Sequence, residues 1–482
     1  MLNIKWLLFF LRLKCFLLIM LYLHLFWLAK TMTKPQSSSE GISRRKFIQY
    51  SSLAVGSGIV AACSSGSSTQ SVDLGENPIK VGVMYSTTGT IAIVEKSLQD
   101  ATFLAIEQIN SGTGPWEGNG EGIAGRKIQK VVVNPDSNWD LYNQMSKRLI
   151  DEDKVVCVLG CYTSASRKSV LPVFEDKDAI LYYPVYYEGN ECSSNVFYTG
   201  AAPNQQITDS IPYCHKNFGP KGFFIGSDYI YPKESNRIAK AELEKIGGKV
   251  VGDEYAALGT TEFITIINKI KAAKPDFVLS NLVGDSIPAF YRQFKDAGIT
   301  ADKMPIMAYP TTEEEIQAMG PEYSSGHYTS FNYFQTVDTP ENKLFVEQFK
   351  EMFGGNRVTN GVMEAAYLQT FFMAQAMKKI LDEGGELNTG TIREATRGQE
   401  FNAPQGKVKI DPENYHTYLY SRIGKWKEDG QAEIVFSTDA AVKPIAWSQT
   451  LYKGRTCVHP TPDTRVDPTV ETGKDLEPKY LS

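Results

Sequence analysis

Hydroxyl, amide and carboxylate side chains suited to holding a small polar molecule crowd into four short stretches of this chain, and none of the four carries a nucleophile set beside a base. In GCYTSASRKSV (160–170) an apolar run ends in glycine and is followed at once by Tyr162, Thr163, Ser164 and Ser166. LYYPVYYEGNE (181–191) supplies Tyr183, Val185, Tyr186, Tyr187 and Glu188. GSDYIYPKESN (226–236) brings Tyr229 and Tyr231, and NLVGDS (281–286) brings Gly284 and Asp285. A closed pocket lined this way must pair every polar group of its ligand, because each one left bare costs about 1–3 kcal/mol. Tyr and Ser oxygens with one carboxylate give many acceptors and few donors, which suits a small polar molecule. No G-x-S-x-G elbow, Walker loop or H-E-x-x-H occurs. The Gly-rich GTGPWEGNGEG (112–122) does not follow a strand and reads as a loop. The five His (24, 215, 327, 416, 459) are scattered, and the seven Cys (15, 63, 157, 161, 192, 214, 457) match no metal spacing. The expectation is a binder, not an enzyme, with no cofactor and no metal.

Each stretch lies where an apolar run gives way to a helical pattern, at the carboxyl end of a strand. That is where open α/β sheets place their ligands. From Ile79 the chain alternates strand and helix patterns: IKVGVMYS, KIQKVVVNP, KVVCVLG and AILYYPV as strands with helices between. A second series follows GAAPNQQ (200–206), with strands KGFFIGS, KVVGDEYA, DFVLSNL and MPIMAYP. This order predicts an α/β protein with two doubly wound parallel-sheet lobes whose strand ends face a common cleft. GKVKIDPENYHTYLYSRIGKWKEDG reads as one β-hairpin region. Two points stay open at this level. Thr163 or Ser164 either caps its own helix or holds the ligand. Tyr229 and Tyr231 either reach across the cleft or seal the surface between lobes.

The composition fits this plan. With 482 residues, 42% apolar, and a net charge of −5, the chain is long enough for two cores and lacks the basic clusters of a nucleic-acid binder. SRRKFIQ (43–49), a weak apolar stretch and VAAC (60–63) resemble a twin-arginine export signal ending in a lipoprotein box, with Cys63 as the lipidation site. Residues 32–63 are therefore read as a signal and 64–77 as a flexible tether. Residues 1–31, apolar and upstream of a complete signal, are read as an extension that is not translated. Of the remaining cysteines, most are expected as buried thiols, with one disulfide open to them in an oxidising compartment.

From about Ile79 to Ile445 the chain resembles the type I periplasmic-binding proteins of the Leu/Ile/Val group. Within that group it is most similar to the urea-binding proteins of ABC transporters and related amide-sensing receptors. The stretches that carry the resemblance are GCYTSASRKSVLPVFE, YPVYYEG, GAAPNQQ, GSDYIYP with ESN after it, VGD, NYFQTVDTPEN, MEAAYLQT and FNAPQGKVKIDPENYHT. The resemblance implies two lobes joined by three crossing segments and closing on one small ligand. Lobe 1 would span 78–202 and 330–405, lobe 2 would span 203–329 and 406–445, and 446–482 would be a C-terminal tail. It implies ligand contacts at Tyr162, Ser164, Tyr183, Val185, Tyr229 and Tyr231, joined on chemical grounds by Tyr186, Glu188, Gly284 and Asp285. Branched-chain amino-acid binders set a Glu against the ligand ammonium where Ser286 stands here. Amide receptors carry Thr-Pro in place of Val185-Tyr186, and AYPTTEEEI (308–316) departs from the urea binders. The implied function is capture of urea by a lipid-anchored protein on the periplasmic side of the cytoplasmic membrane, for delivery to ABC permease subunits. The alternative is a binding protein or sensor for short aliphatic amides or branched-chain amino acids.

Overall fold

The computed structural model describes residues 74–75 and 77–460. The extension, the export signal with Cys63, most of the tether and residues 461–482 lie outside the described residues.

Lobe 1 begins with β1 (Ile79–Met84), α1 (Ala92–Ser111), β2 (Ile128–Val133), α2 (Trp139–Asp151), β3 (Val158–Gly160), α3 (Ser164–Asp176), β4 (Leu181–Tyr183) and β5 (Val196–Tyr198). The strands form one parallel sheet in the order β2-β1-β3-β4-β5. In β1 every residue but Lys80 is buried, as a parallel strand covered by helices on both faces requires. KVVCVLG and AILYYPV yield only three paired residues each, Val158–Gly160 and Leu181–Tyr183. The strand β5 has no periodicity to announce it in three residues and was not expected from the sequence.

The chain crosses to lobe 2 and builds α4 (Ile207–Asn217), β6 (Lys221–Ser227), α5 (Ile230–Lys245), β7 (Lys249–Ala256), α6 (Ile264–Ala273), β8 (Phe277–Asn281) and α7 (Ser286–Asp296). Next come β9 (Ile306–Ala308), α8 (Glu313–Met319), α9 (Pro321–Ser324) and β10 (Tyr328–Phe331). It then returns to lobe 1 for α10 (Pro340–Phe353), α11 (Gly361–Asp382) and α12 (Thr389–Thr396). Helix α11 is buried around most of its circumference and packs along α1.

Five strands follow: β11 (Glu400–Ala403), β12 (Gly406–Ile410), β13 (Thr417–Tyr418), β14 (Arg422–Trp426) and β15 (Ala432–Ser437). The first three make a small antiparallel sheet, which a bridge between Tyr198 and His416 ties to lobe 1. The last two extend the lobe 2 sheet, whose order is β15-β14-β10-β9-β8-β6-β7. Three crossings thus join the lobes, near 199–206, 332–339 and 419–421. Two boundaries differ from expectation. The expected seam at 405/406 would cut the β11–β12 hairpin, where Ala403 pairs with Gly406, so the third crossing lies later. The expected single hairpin region is two structures in two lobes. The other seam, at 329/330, falls inside β10, which pairs with β9 and belongs to lobe 2.

The C-terminal segment is no free tail up to residue 460. A disulfide joins Cys192 to Cys457, with Cα atoms 5.5 Å apart, while Cys157, Cys161 and Cys214 are buried thiols. Among the described residues no helix is long and apolar enough to cross a membrane.

Candidate functional site

At 160–170 the backbone itself decides which hydroxyl caps the helix. Gly160 ends β3 so close to β1 that a Cβ there would lie 2.5 Å from the Met84 carbonyl oxygen. Cys161 then takes a left-handed φ of 65°, turning the chain into α3. Thr163 is the N-cap: its Oγ1 accepts from the Ser166 N–H at 2.9 Å. Ser164 is thereby released from capping and turns its hydroxyl elsewhere.

It donates to Glu188 Oε2. Arg167, one turn further along α3, donates to Ser164 Oγ at 3.2 Å, to Glu188 Oε1 at 3.2 Å and to Glu191 Oε1 at 2.8 Å. The guanidinium lies over the rings of Tyr183 and Tyr187, 4.8 and 4.6 Å from their centroids. Burial alone would weaken its charge, yet Glu191 and Glu188 outweigh that and hold it firmly protonated. Burial likewise works to raise Glu191, but Arg167 and Lys168 bring it down to about 2. One cation is thus shared between two buried carboxylates, and both oxygens of Glu188 already accept hydrogen bonds.

The tyrosines complete the floor and roof. Tyr183 Oη donates to the Tyr162 carbonyl at 2.7 Å, and the hydroxyls of Tyr162 and Tyr186 lie 3.0 Å apart. From lobe 2, Tyr231 Oη donates to Asn281 Oδ1 at 3.1 Å, and Asn281 passes the chain of bonds to Asn236. The lobes meet here. Tyr186 packs against both Tyr231 and Phe331 with ring centroids 5.2 Å away in each case. Tyr229 stands 6.4 Å from Tyr231 and is half-buried. Burial pushes Tyr162, Tyr186, Tyr229 and Tyr231 well up, so all four stay neutral.

The structure therefore brings Tyr162, Ser164, Tyr183, Val185, Tyr186, Glu188, Tyr229 and Tyr231 into one interlobe cluster. Val185 is buried under the first crossing, where a Cβ on Gly200 would strike its carbonyl carbon. Gly284 also reaches the interface: its φ is +64°, and a Cβ would sit 2.8 Å from the Thr90 carbonyl of lobe 1. Asp285 departs from expectation. It precedes α7 with its side chain exposed and caps nothing, because the tight Gly284 turn faces the cleft and throws the next residue outward. Arg167, Glu191, Asn281 and Phe331 were not anticipated. Arg167 had a signal, since three residues after Ser164 on a helix places it on the same face.

The one group of metal-capable atoms among the described residues is Cys192, Cys457 and His459, and two of its three members are spent in the disulfide.

The family model described as a periplasmic binding protein domain matches residues 79–453, and the chain belongs to that family. Leu/Ile/Val-binding protein homolog 6 of Brucella suis is 30% identical over 211 residues, 43% of this chain; the chain spans only about half (53%) of that relative's length. The leucine-, isoleucine-, valine-, threonine- and alanine-binding protein of Pseudomonas aeruginosa is 22% identical over 74% of this chain and 92% of its own. Among solved structures, a solute-binding protein of an ABC transporter from Rhodopseudomonas palustris BisB5 in complex with 3,4-dihydroxybenzoic acid superposes with a TM-score of 0.68 at 21% identity, covering 77% of this chain and 99% of that one. A branched-chain amino acid transporter substrate-binding protein of Streptococcus pneumoniae in complex with isoleucine gives 0.65 at 20% identity, covering 76% and 100%. At these identities the likeness is one of fold.

Proposed function

We propose that this chain is the extracytoplasmic solute-binding component of an ABC importer, and that its cleft closes on a small, neutral, N–H-rich solute, a short amide or urea, for delivery to the permease. The observation that carries the reading is the direction of the site's own hydrogen bonds. The hydroxyl protons of Ser164, Tyr183 and Tyr231 are all donated into the protein, to Glu188, to the Tyr162 carbonyl and to Asn281. On those three groups only oxygen lone pairs remain to meet a ligand, which favours N–H donors, while one hydroxyl proton of the Tyr162–Tyr186 pair stays free to donate. The buried guanidinium of Arg167 is consumed by Glu188 and Glu191, and Lys168 pairs with Glu191 as well, so an acid such as a benzoate would find no unpaired side-chain cation in the cluster. The ligand carbonyl would meet the free N–H groups of the first turn of α3. Attachment through lipid on Cys63 belongs to the same proposal and rests on the export and lipoprotein signals.

A second reading, a branched-chain amino acid, is favoured by the relatives' names: three of the four proteins described above are named for such ligands or hold one. No urea binder is among those four. A thermal-shift panel separates the readings, because a ligand that binds the native state raises its midpoint by mass action. Urea or acetamide at saturating concentration is expected to raise the midpoint more than isoleucine does. A rise with isoleucine alone would replace the amide reading by the amino-acid one.

A further inference from the structure

We infer that Glu315, on the lobe 2 side of the cleft, accepts an N–H group of the captured solute. This rests on the reading of the interlobe cluster as the solute site and deepens it by naming the acceptor. Glu315 lies in the first turn of α8, which the chain enters from the carboxyl end of β9, the same rim that carries the ends of β6 and β8. Its side chain is fully buried. One oxygen, Oε2, is committed to the cap of α8, accepting from Thr312 N–H at 2.8 Å and from Thr312 Oγ1–H at 2.6 Å. The other, Oε1, is buried and has no partner. The first turn of α8 abuts lobe 1, because Glu314 beside it accepts from Ser97 and Asn360 of that lobe.

Its neighbours in the acidic run are accounted for. Glu313 Oε1 accepts from the Gln335 N–H at 2.7 Å in the second crossing. Glu314 accepts from Ser97 and Asn360 and lies 3.7 Å from Arg357, all in lobe 1. Of the three, Glu315 is the one with a fully buried oxygen that no partner meets. Burial pushes Glu315 up to about 7, so above that pH its ionised carboxylate leaves Oε1 a bare acceptor inside the protein, which is costly, and native sites retain one where something else completes it. An N–H donor, on an amide or an ammonium, completes it; a carboxylate ligand opposes it. The run that departs from the expected pattern, TTEEEI, thereby supplies the acid that Asp285 does not.

Glu315→Gln tests this with little disturbance of the fold. Both donors on Thr312 demand an acceptor, so the new side chain must give them its carbonyl oxygen and turn its NH2 group into the cleft. There it meets the ligand's N–H donor to donor. Calorimetric titration of the wild type, Glu315→Gln and Asp285→Asn with urea, acetamide, isoleucine and 3,4-dihydroxybenzoate is the measurement, with unliganded melting as the check on folding. Whichever N–H-bearing probe the wild type binds should bind Glu315→Gln at least about 10-fold more weakly, the cost of one lost buried hydrogen bond. Asp285→Asn should be unchanged. Unaltered affinity in a normally folded Glu315→Gln overturns the inference, as does preference of the wild type for 3,4-dihydroxybenzoate. If isoleucine outcompetes urea and acetamide but is still lost in Glu315→Gln, the amide reading falls and the role of Glu315 stands.

Discussion

Arg167 organises the interlobe cluster from within lobe 1. It is fully buried, and its guanidinium holds Ser164, Glu188 and Glu191 in a single array. Removing one partner of a buried ion cluster strands the others, at a cost of about 3–5 kcal/mol. Arg167→Met should therefore lower the denaturation free energy by about that amount, read from the denaturant midpoint. A loss under about 1 kcal/mol would mean that Glu188 and Glu191 find other partners or become protonated. Much of the residue-level site was legible. Tyr162, Ser164 and Tyr231 stand at strand ends because hydroxyl and aromatic residues there interrupt an apolar pattern. Glu191 was not legible as a partner, because its pairing with Arg167 spans 24 residues and exists only when β3 and β4 lie side by side. Asp285 misled for the opposite reason: type and position fitted, but the direction of the side chain is set by the φ of Gly284.

Among the elements, those with long periodic patterns were readable and the short ones were not. The alternation from β1 to β4 and from β6 to β9 followed from apolar runs separated by amphipathic segments. The strand β5 and the split of the late hairpins depend on pairings between distant segments, such as Tyr198 with His416, that no local pattern encodes. The segment after β15 belongs to this class as well. It is held to lobe 1 by the Cys192–Cys457 bond, and it touches α5 of lobe 2, where Thr450 donates to Glu242 and Arg237 donates to Tyr452. Replacing Cys192 and Cys457 by Ser should cost about 2–5 kcal/mol of stability and expose residues near 446–460 to proteolysis. An unchanged melting point and an uncleaved segment would show that the noncovalent contacts suffice.

For the whole molecule, buried ionisable groups set a pH profile. Burial pushes Glu95, Glu313, Glu314 and Glu364 to about 8 and Glu315 to about 7. These carboxyls stay protonated in the folded chain at pH values where the unfolded chain has released its protons. Stability therefore falls as pH rises from the unfolded carboxylate range through 7 and 8. Burial pushes His327 and His416 down to about 3 and His459 to about 4, which works the other way, adding stability as pH rises toward the unfolded histidine value of about 6.5. Above pH 6.5 only the carboxyls remain in play. The unfolding free energy should drop between pH 6.5 and 8.5 by roughly 1.4 kcal/mol per pH unit for each carboxyl still protonated, read as a falling melting temperature. A flat profile would mean that the buried acids are charged and paired. The two-lobed architecture itself was readable from sequence, since two alternating series of that length admit few other arrangements.

The central claim is that the acceptor-rich cluster between the lobes holds a small N–H-bearing solute. Competition calorimetry on the wild-type protein, with urea, acetamide and isoleucine each displacing the others, tests it most directly. The account predicts saturable binding of urea or acetamide at one site per chain, not displaced by equimolar isoleucine. Binding of isoleucine or 3,4-dihydroxybenzoate with no measurable heat from either amide would contradict it.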